Sequence, residues 1–173
     1  MGRAMTDLIP AWVDGVLTPV DKLAVHQRGL RHPAISVFII GPRGVLLQRR
    51  AASKYHTPGL WANTCCTHPH WGEDALDCAT RRLDQELGIK GVALNWREQV
   101  EYRADVGNGL TEHEVVEVFV GRGEPPLAPD PDEVWETAWM TLPALETALE
   151  QTPERFTPWL RVYLSDHKHA IFG

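Results

Sequence analysis

A chain of 173 residues with 43% hydrophobic and 23% charged residues is long enough to bury a core without staples, and its mix excludes wholesale disorder. Seventeen Lys+Arg against 23 Asp+Glu leave a formal net charge of −6, which argues against broad adhesion to nucleic acid or to an anionic membrane surface. The longest apolar run, Val37–Ile40, is far too short for a transmembrane helix. A single domain over residues 1–173 is expected. Met1–Pro10 lacks the apolar core and cleavage site of a signal peptide. Three cysteines, two of them adjacent (Cys65, Cys66), make a poor disulfide framework, so the expected compartment is a reducing cytoplasm.

In chain order, the β-branched and aromatic run Ile35–Ile40, the turn Gly41-Pro42-Arg43-Gly44 and the return Val45–Gln48 predict a hairpin. The segment from Gly59 to Cys66 reads as extended. Between Glu73 and Leu87, Ala75, Leu76, Ala79, Leu83 and Leu87 recur at spacings of three and four, which predicts a helix stopped by Gly88. Val92–Ala104 and Val115–Val120 read as strands parted by Gly107-Asn108-Gly109, and the four prolines of Gly123–Pro131 mark a loop. Val134–Met140 is a further strand, then Leu142–Leu149 and Pro158–His169 read as helices, with Pro158 suited to a first turn. Strands around one central helix, followed by helices, predict an α+β fold or a three-layer α/β/α sandwich.

Chemistry concentrates in a few places. If Asn63–Pro69 is extended, Cys66 and His68 share a face and Cys65 points the other way. A thiol beside a cationic or metal-rich site is a candidate for proton transfer or nucleophilic work, whereas an isolated cysteine is more often a small buried hydrophobe. Glu112 and Glu114, two apart on a strand, project to one face, and such a pair needs a cation between its members or perturbed protonation. His26 and His32, six residues apart, do not match a helical metal pair and on spacing alone read as surface histidines. Arg82 and Glu86 share a helix face, either as a plain ion pair or as a cation for phosphate oxygens beside a carboxylate for Mg²⁺. Arg49-Arg50 with Lys54 is a small basic cluster, and Trp61 and Trp159 read first as core and second as π faces for a cation.

Together these residues resemble the type I isopentenyl diphosphate isomerase family, which is built on the Nudix fold. The resemblance runs from about Lys22 to Trp159 and is strongest in Gln48–Lys54, Trp61–Pro69, Arg81–Gly88, Tyr102–Ala104 and Glu112–Val115. The Nudix hydrolase signature G-x5-E-x7-R-E-U-x-E-E-x-G-U can be laid over Thr67 to Ile89: Glu73, Arg81, Leu83, Glu86, Gly88 and Ile89 fit. Thr67, Arg82 and Gln85 stand where it has Gly, Glu and Glu. The lost carboxylates are ones that hydrolases use to gather metal around a diphosphate. The resemblance therefore implies a Nudix-like sandwich with a mixed sheet and a degenerate metal helix, and isomerisation rather than hydrolysis.

It further implies an octahedral divalent ion on His26, His32, His68, Glu112 and Glu114, with Mn²⁺ or Zn²⁺ suited to imidazole and carboxylate. A Mg²⁺ ion would bridge Glu86 and the substrate diphosphate, whose oxygens would meet Lys22, Arg50, Lys54 and Arg82. Moving the double bond requires a proton added at the terminal alkene carbon and one removed from C2, through a tertiary carbocation. Two proton-transfer groups on opposite faces meet that demand, and the assignment is Cys66 on one face and Glu114 on the other, with Tyr102 hydrogen-bonded near Glu114. Trp159, with Trp61 second, would shield the cation. The expected partner is a small prenyl diphosphate, with no flavin, nucleic acid or membrane, and the chain a monomer or weak homodimer.

Overall fold

Extended segments follow the β-branched runs, and helices follow the three–four spacings. The computed structural model describes residues 8–173, so most of the expectation for Met1–Pro10 lies outside the described residues. The chain runs through β1 (Leu8–Val13), β2 (Val16–Asp21), α1 (Lys22–Arg28), β3 (Arg31–Gly41), β4 (Gly44–Arg50), β5 (Trp61–Ala62) and β6 (Cys65–Thr67). It continues through α2 (Ala75–Leu87), β7 (Leu94–Gly107), β8 (Leu110–Arg122), β9 (Val134–Met140), α3 (Leu142–Gln151), a short 3-10 turn (Pro153–Arg155), α4 (Pro158–Asp166) and α5 (Lys168–Phe172).

The sheet is mixed, with path β5-β4-β3-β8-β7, β6 added to β3 and β9 to β4. Its center is the parallel pairing of β3 with β8, from Arg31↔His113 to Ile40↔Arg122. The predicted hairpin exists, but β3 and β4 pair only at Ile40↔Val45 and Gly41↔Gly44. Beyond the turn they splay, because β3 takes β8 and β6 as partners.

Alternation along β3 divides the core. Ile35, Val37 and Ile39 pack with Cys78, Ala79, Leu83 and Leu87 of α2, while Ala34 and Phe38 pack with Trp159, Leu160 and Tyr163 of α4. This is the α/β/α sandwich that the sequence predicts. Helix α2 begins two residues later than the periodicity suggests, because Asp74 caps it through the amides of Leu76 and Asp77. The predicted helix Pro158–His169 breaks at His167, which leaves helical geometry at φ −128° and ψ 10°.

An N-terminal hairpin, outside the sequence expectations, precedes α1. Asp14 and Gly15 both adopt positive φ and join β1 to β2 in a two-residue turn. Asp21 then caps α1 through the amide of Ala24 at 3.1 Å, and Gly29 in the left-handed region ends that helix. The hairpin and helix deliver Lys22 and His26 to the open end of the sheet.

Candidate active site

One face of the sheet is apolar toward its middle and ionisable at one end. Glu112 and Glu114 precede Val116, Val118 and Val120 on the α4 side of β8. His32 precedes Ala34 on the same side of β3, directly across from Glu114. Tyr102 of β7 is Glu114's partner on the other flank. Cys66 pairs with Ser36 and packs toward α4, whereas Cys65 packs toward α2. The alternation argued from sequence therefore holds.

His26 and His32 are not surface residues: both are fully buried. His26 Nδ1 lies 2.7 Å from the carbonyl of Lys22 and His32 Nδ1 2.7 Å from that of Leu30. A carbonyl only accepts, so Nδ1 carries the proton and each Nε2 lone pair faces the cluster. His68 Nε2 is 2.8 Å from Glu114 Oε2 and 3.6 Å from Glu112 Oε2, and His32 Nε2 is 3.5 Å from Glu114 Oε2. His26 Nε2 abuts Glu112 Oε1.

One ligand atom from each of His26, His32, His68 and Glu112 can be chosen so that all four lie within 4.8 Å of one another. Among the described residues, His32 Nε2 and Glu112 Oε1 are buried with no hydrogen-bond partner. Orphaned, convergent imidazole and carboxylate atoms are costly without a cation and fit a divalent ion. Burial alone would raise the Glu114 carboxyl, but the adjacent His32 and His68 imidazoles outweigh it and hold the group well below the usual carboxylate range. Tyr102 donates a short hydrogen bond to Glu114 Oε1.

Cys66 and Trp159 line, with His68, Glu112 and Glu114, a cleft with about 390 Å³ of open space. Burial pushes the Cys66 thiol up to about 12. Arg50 is also buried, its guanidinium 5.4 Å from the Trp159 ring. An adjoining polar cavity shares Lys22, Lys54, His68 and Arg82 with the cleft and adds Arg81, His70 and Glu133. Lys22 is lowered to about 8, first by burial and then by Lys54 and Arg82.

In the helix signature, Arg82 does not pair as a bland surface ion. Its Nη2 lies 2.6 Å from Glu86 Oε2, Glu86 is buried, and Gln48 Nε2 donates to Glu86 Oε1 at 2.9 Å. Glu73 is engaged by Arg81 at 2.7 Å.

Trp61 is placed elsewhere. It sits on β5 at the sheet edge and lines a separate apolar cavity with Leu47, Met140 and Phe156. Four residues that sequence reasoning passed over do reach the site. Tyr55 Oη lies 3.3 Å from His26 Nε2, and His56 Nε2 lies 3.6 Å from Glu112 Oε1. Burial and then Arg50 push His56 well below the usual imidazole range, so it is neutral. Glu133 bonds Lys54 and lies 3.3 Å from Arg82 Nη2. Gln48 positions Glu86. The only local signal for Tyr55 and His56 is their place between Lys54 and the Pro58-Gly59 turn.

This sandwich, with its central helix and carboxylate-bearing sheet end, defines a class. Residues 30–160 match the NUDIX domain model, and the chain belongs to that family. A Deinococcus radiodurans structure at TM-score 0.65 and 13% identity covers 83% of this chain and 88% of its own. The MutT protein of Methanosarcina mazei, at TM-score 0.64 and 18% identity, covers 80% and 94%; these likenesses speak for the fold alone. Within the family the chain is one of the isopentenyl-diphosphate Delta-isomerases. It is 64% identical over 171 residues to the Cereibacter sphaeroides protein of that name, covering 98% of this chain and 97% of the relative. To the Rhodobacter capsulatus isopentenyl-diphosphate Delta-isomerase it is 60% identical over 168 residues, covering 96% of each.

Proposed function

We propose that this chain interconverts isopentenyl diphosphate and dimethylallyl diphosphate by proton addition and removal on opposite faces of the substrate. The supporting observation is one cleft lined by a thiol, Cys66, a carboxylate, Glu114, and Trp159, with Tyr102 donating a hydrogen bond to that carboxylate. The adjoining cationic cavity suits a diphosphate, with Lys22, Arg50, Lys54 and Arg82 at its oxygens. In the forward direction a proton bonds to the terminal alkene carbon through the π pair and leaves a tertiary cation. A C2–H bond then breaks, its electrons form the new double bond, and the proton passes to the group on the other face. Trp159 shields the cation and narrows access for water.

His26, His32, His68, Glu112 and Glu114 would hold one divalent ion, Mn²⁺ or Zn²⁺, and Glu86 a Mg²⁺ ion accompanying the diphosphate. Such ions, when bound, supply the positive charge that fixes the carboxylates and neutralises the diphosphate. No flavin takes part. Residues 1–173 act as one catalytic unit, a monomer or a weak homodimer.

The test is incubation with isopentenyl diphosphate and Mg²⁺, without flavin or NADPH, followed by detection of acid-labile dimethylallyl diphosphate. Its formation is the expected result. Phosphate release with no isomer would overturn the proposal in favor of hydrolysis.

A further inference from the structure

Behind the Cys66 sulfur lies a buried chain of hydroxyls. Ser36 is Cys66's direct cross-strand partner, and its Oγ donates to Sγ at 3.4 Å. The same Oγ lies 2.7 Å from the hydroxyl of Tyr163. Ser36 and Tyr163 are both buried, Tyr163 completely.

On its other side, the sulfur donates to Asn63 Oδ1 at 2.8 Å. The Asn63 amide cannot turn over without loss, because its Nδ2 already donates to the carbonyls of Val37 and Cys65. Its oxygen therefore faces the thiol and accepts. A serine hydroxyl has one proton, so if Ser36 donates to sulfur, Tyr163 must donate to Ser36. The whole chain then runs one way, from Tyr163 to Ser36 to Cys66 to Asn63, with every proton used.

From this geometry we infer that Ser36 and Tyr163 are positioning residues for proton transfer at Cys66. The inference rests on the reading of Cys66 as a proton-transfer group, and it holds whichever direction the proton moves. When the S–H bond breaks and its proton leaves for carbon, the electron pair stays on a sulfur enclosed by protein. The hydrogen bond from Ser36 then ends on a charged acceptor and strengthens, and Tyr163 polarises Ser36 in the same sense. Asn63, an acceptor toward sulfur, fixes the thiol rotamer but gives the thiolate nothing. The two hydroxyls thus favor the charged state of the cycle, without touching substrate.

The experiment compares Ser36→Ala, Tyr163→Phe, the double variant and Cys66→Ala in steady-state isomerisation, with thermal melts alongside. Ser36→Ala is expected to lower kcat about 10- to 100-fold, the range for a hydrogen bond to a charged group, with KM within about threefold. Tyr163→Phe keeps the ring and is expected to lower kcat about fivefold, again with KM unchanged. Since Tyr163 acts only through Ser36, the double variant should be no slower than Ser36→Ala alone. A kcat within threefold of the parent for Ser36→Ala, or losses that multiply and follow the melting temperatures, would overturn the inference. If Ser36→Ala fails to fold, Tyr163→Phe decides: unchanged kcat refutes the chain. Full activity in Cys66→Ala would instead refute the underlying reading of Cys66.

Discussion

Cys65 and Cys66 are adjacent thiols of the same strand, yet one is sealed against α2 and the other looks into the cleft. Cys66→Ala and Glu114→Gln are each expected to abolish interconversion while leaving the fold and metal content largely intact, with any loss of metal confined to Glu114→Gln; turnover within tenfold of the parent in both would refute the assignment. Cys65→Ala should cost only packing, about 1 kcal/mol for one buried atom, seen as a lower denaturation midpoint at unchanged kcat. Lys22 gives a pH signature. Its folded pKa is lowered to about 8, so it is charged below that pH and neutral above. KM for the diphosphate should therefore rise as pH climbs through about 8, and Lys22→Arg should flatten that limb in a KM–pH profile. The two cysteines were separable in sequence because strand alternation is local and strict. Tyr163 was not, since its hydroxyl finds Ser36 across 127 residues, a pairing that no short-range spacing encodes.

At the scale of elements, α2 shows how a stop signal also sets the site. Gly88 sits at φ 66° and its amide closes the helix on Leu83 and Asp84. A Cβ there would fall 2.7 Å from Ala128 Cβ, in the proline-rich loop whose amides at Ala128 and Asp130 bond the carbonyls of Leu87 and Glu86. Gly88→Ala combines left-handed strain with a clash and is expected to cost about 2–4 kcal/mol. Urea unfolding is the measurement, and an unchanged midpoint would show that the loop yields freely. The helix, its stop and strand Val134–Met140 were legible because period and cap are written locally. The partner of β3 was not, because parallel pairing with β8 joins segments far apart in sequence and the turn at Gly41–Gly44 advertises the shorter contact with β4.

For the whole molecule, the acidic net charge of −6 gains a use. The buried, unpartnered atoms Glu112 Oε1 and His32 Nε2 cost stability without a cation and gain it with one. Adding Mn²⁺ to chelator-stripped protein at a hundred times its dissociation constant should contribute about 2.7 kcal/mol, a rise in Tm of about 5–10 °C. No shift by differential scanning calorimetry would mean that the cluster binds no ion. The parallel β3–β8 seam carries a further consequence, because it sets His32 directly across from Glu114. A slip of β8 by a single residue would turn Glu112 and Glu114 to the opposite face, toward α2, and bring His113 and Val115 in their place. The apolar core forbids such an error as well, since Glu117 would then stand where Val116 or Val118 packs on the α4 side. The alignment that buries these valines is also the one that brings His32, Glu112 and Glu114 together, so a single register serves both the core and the site.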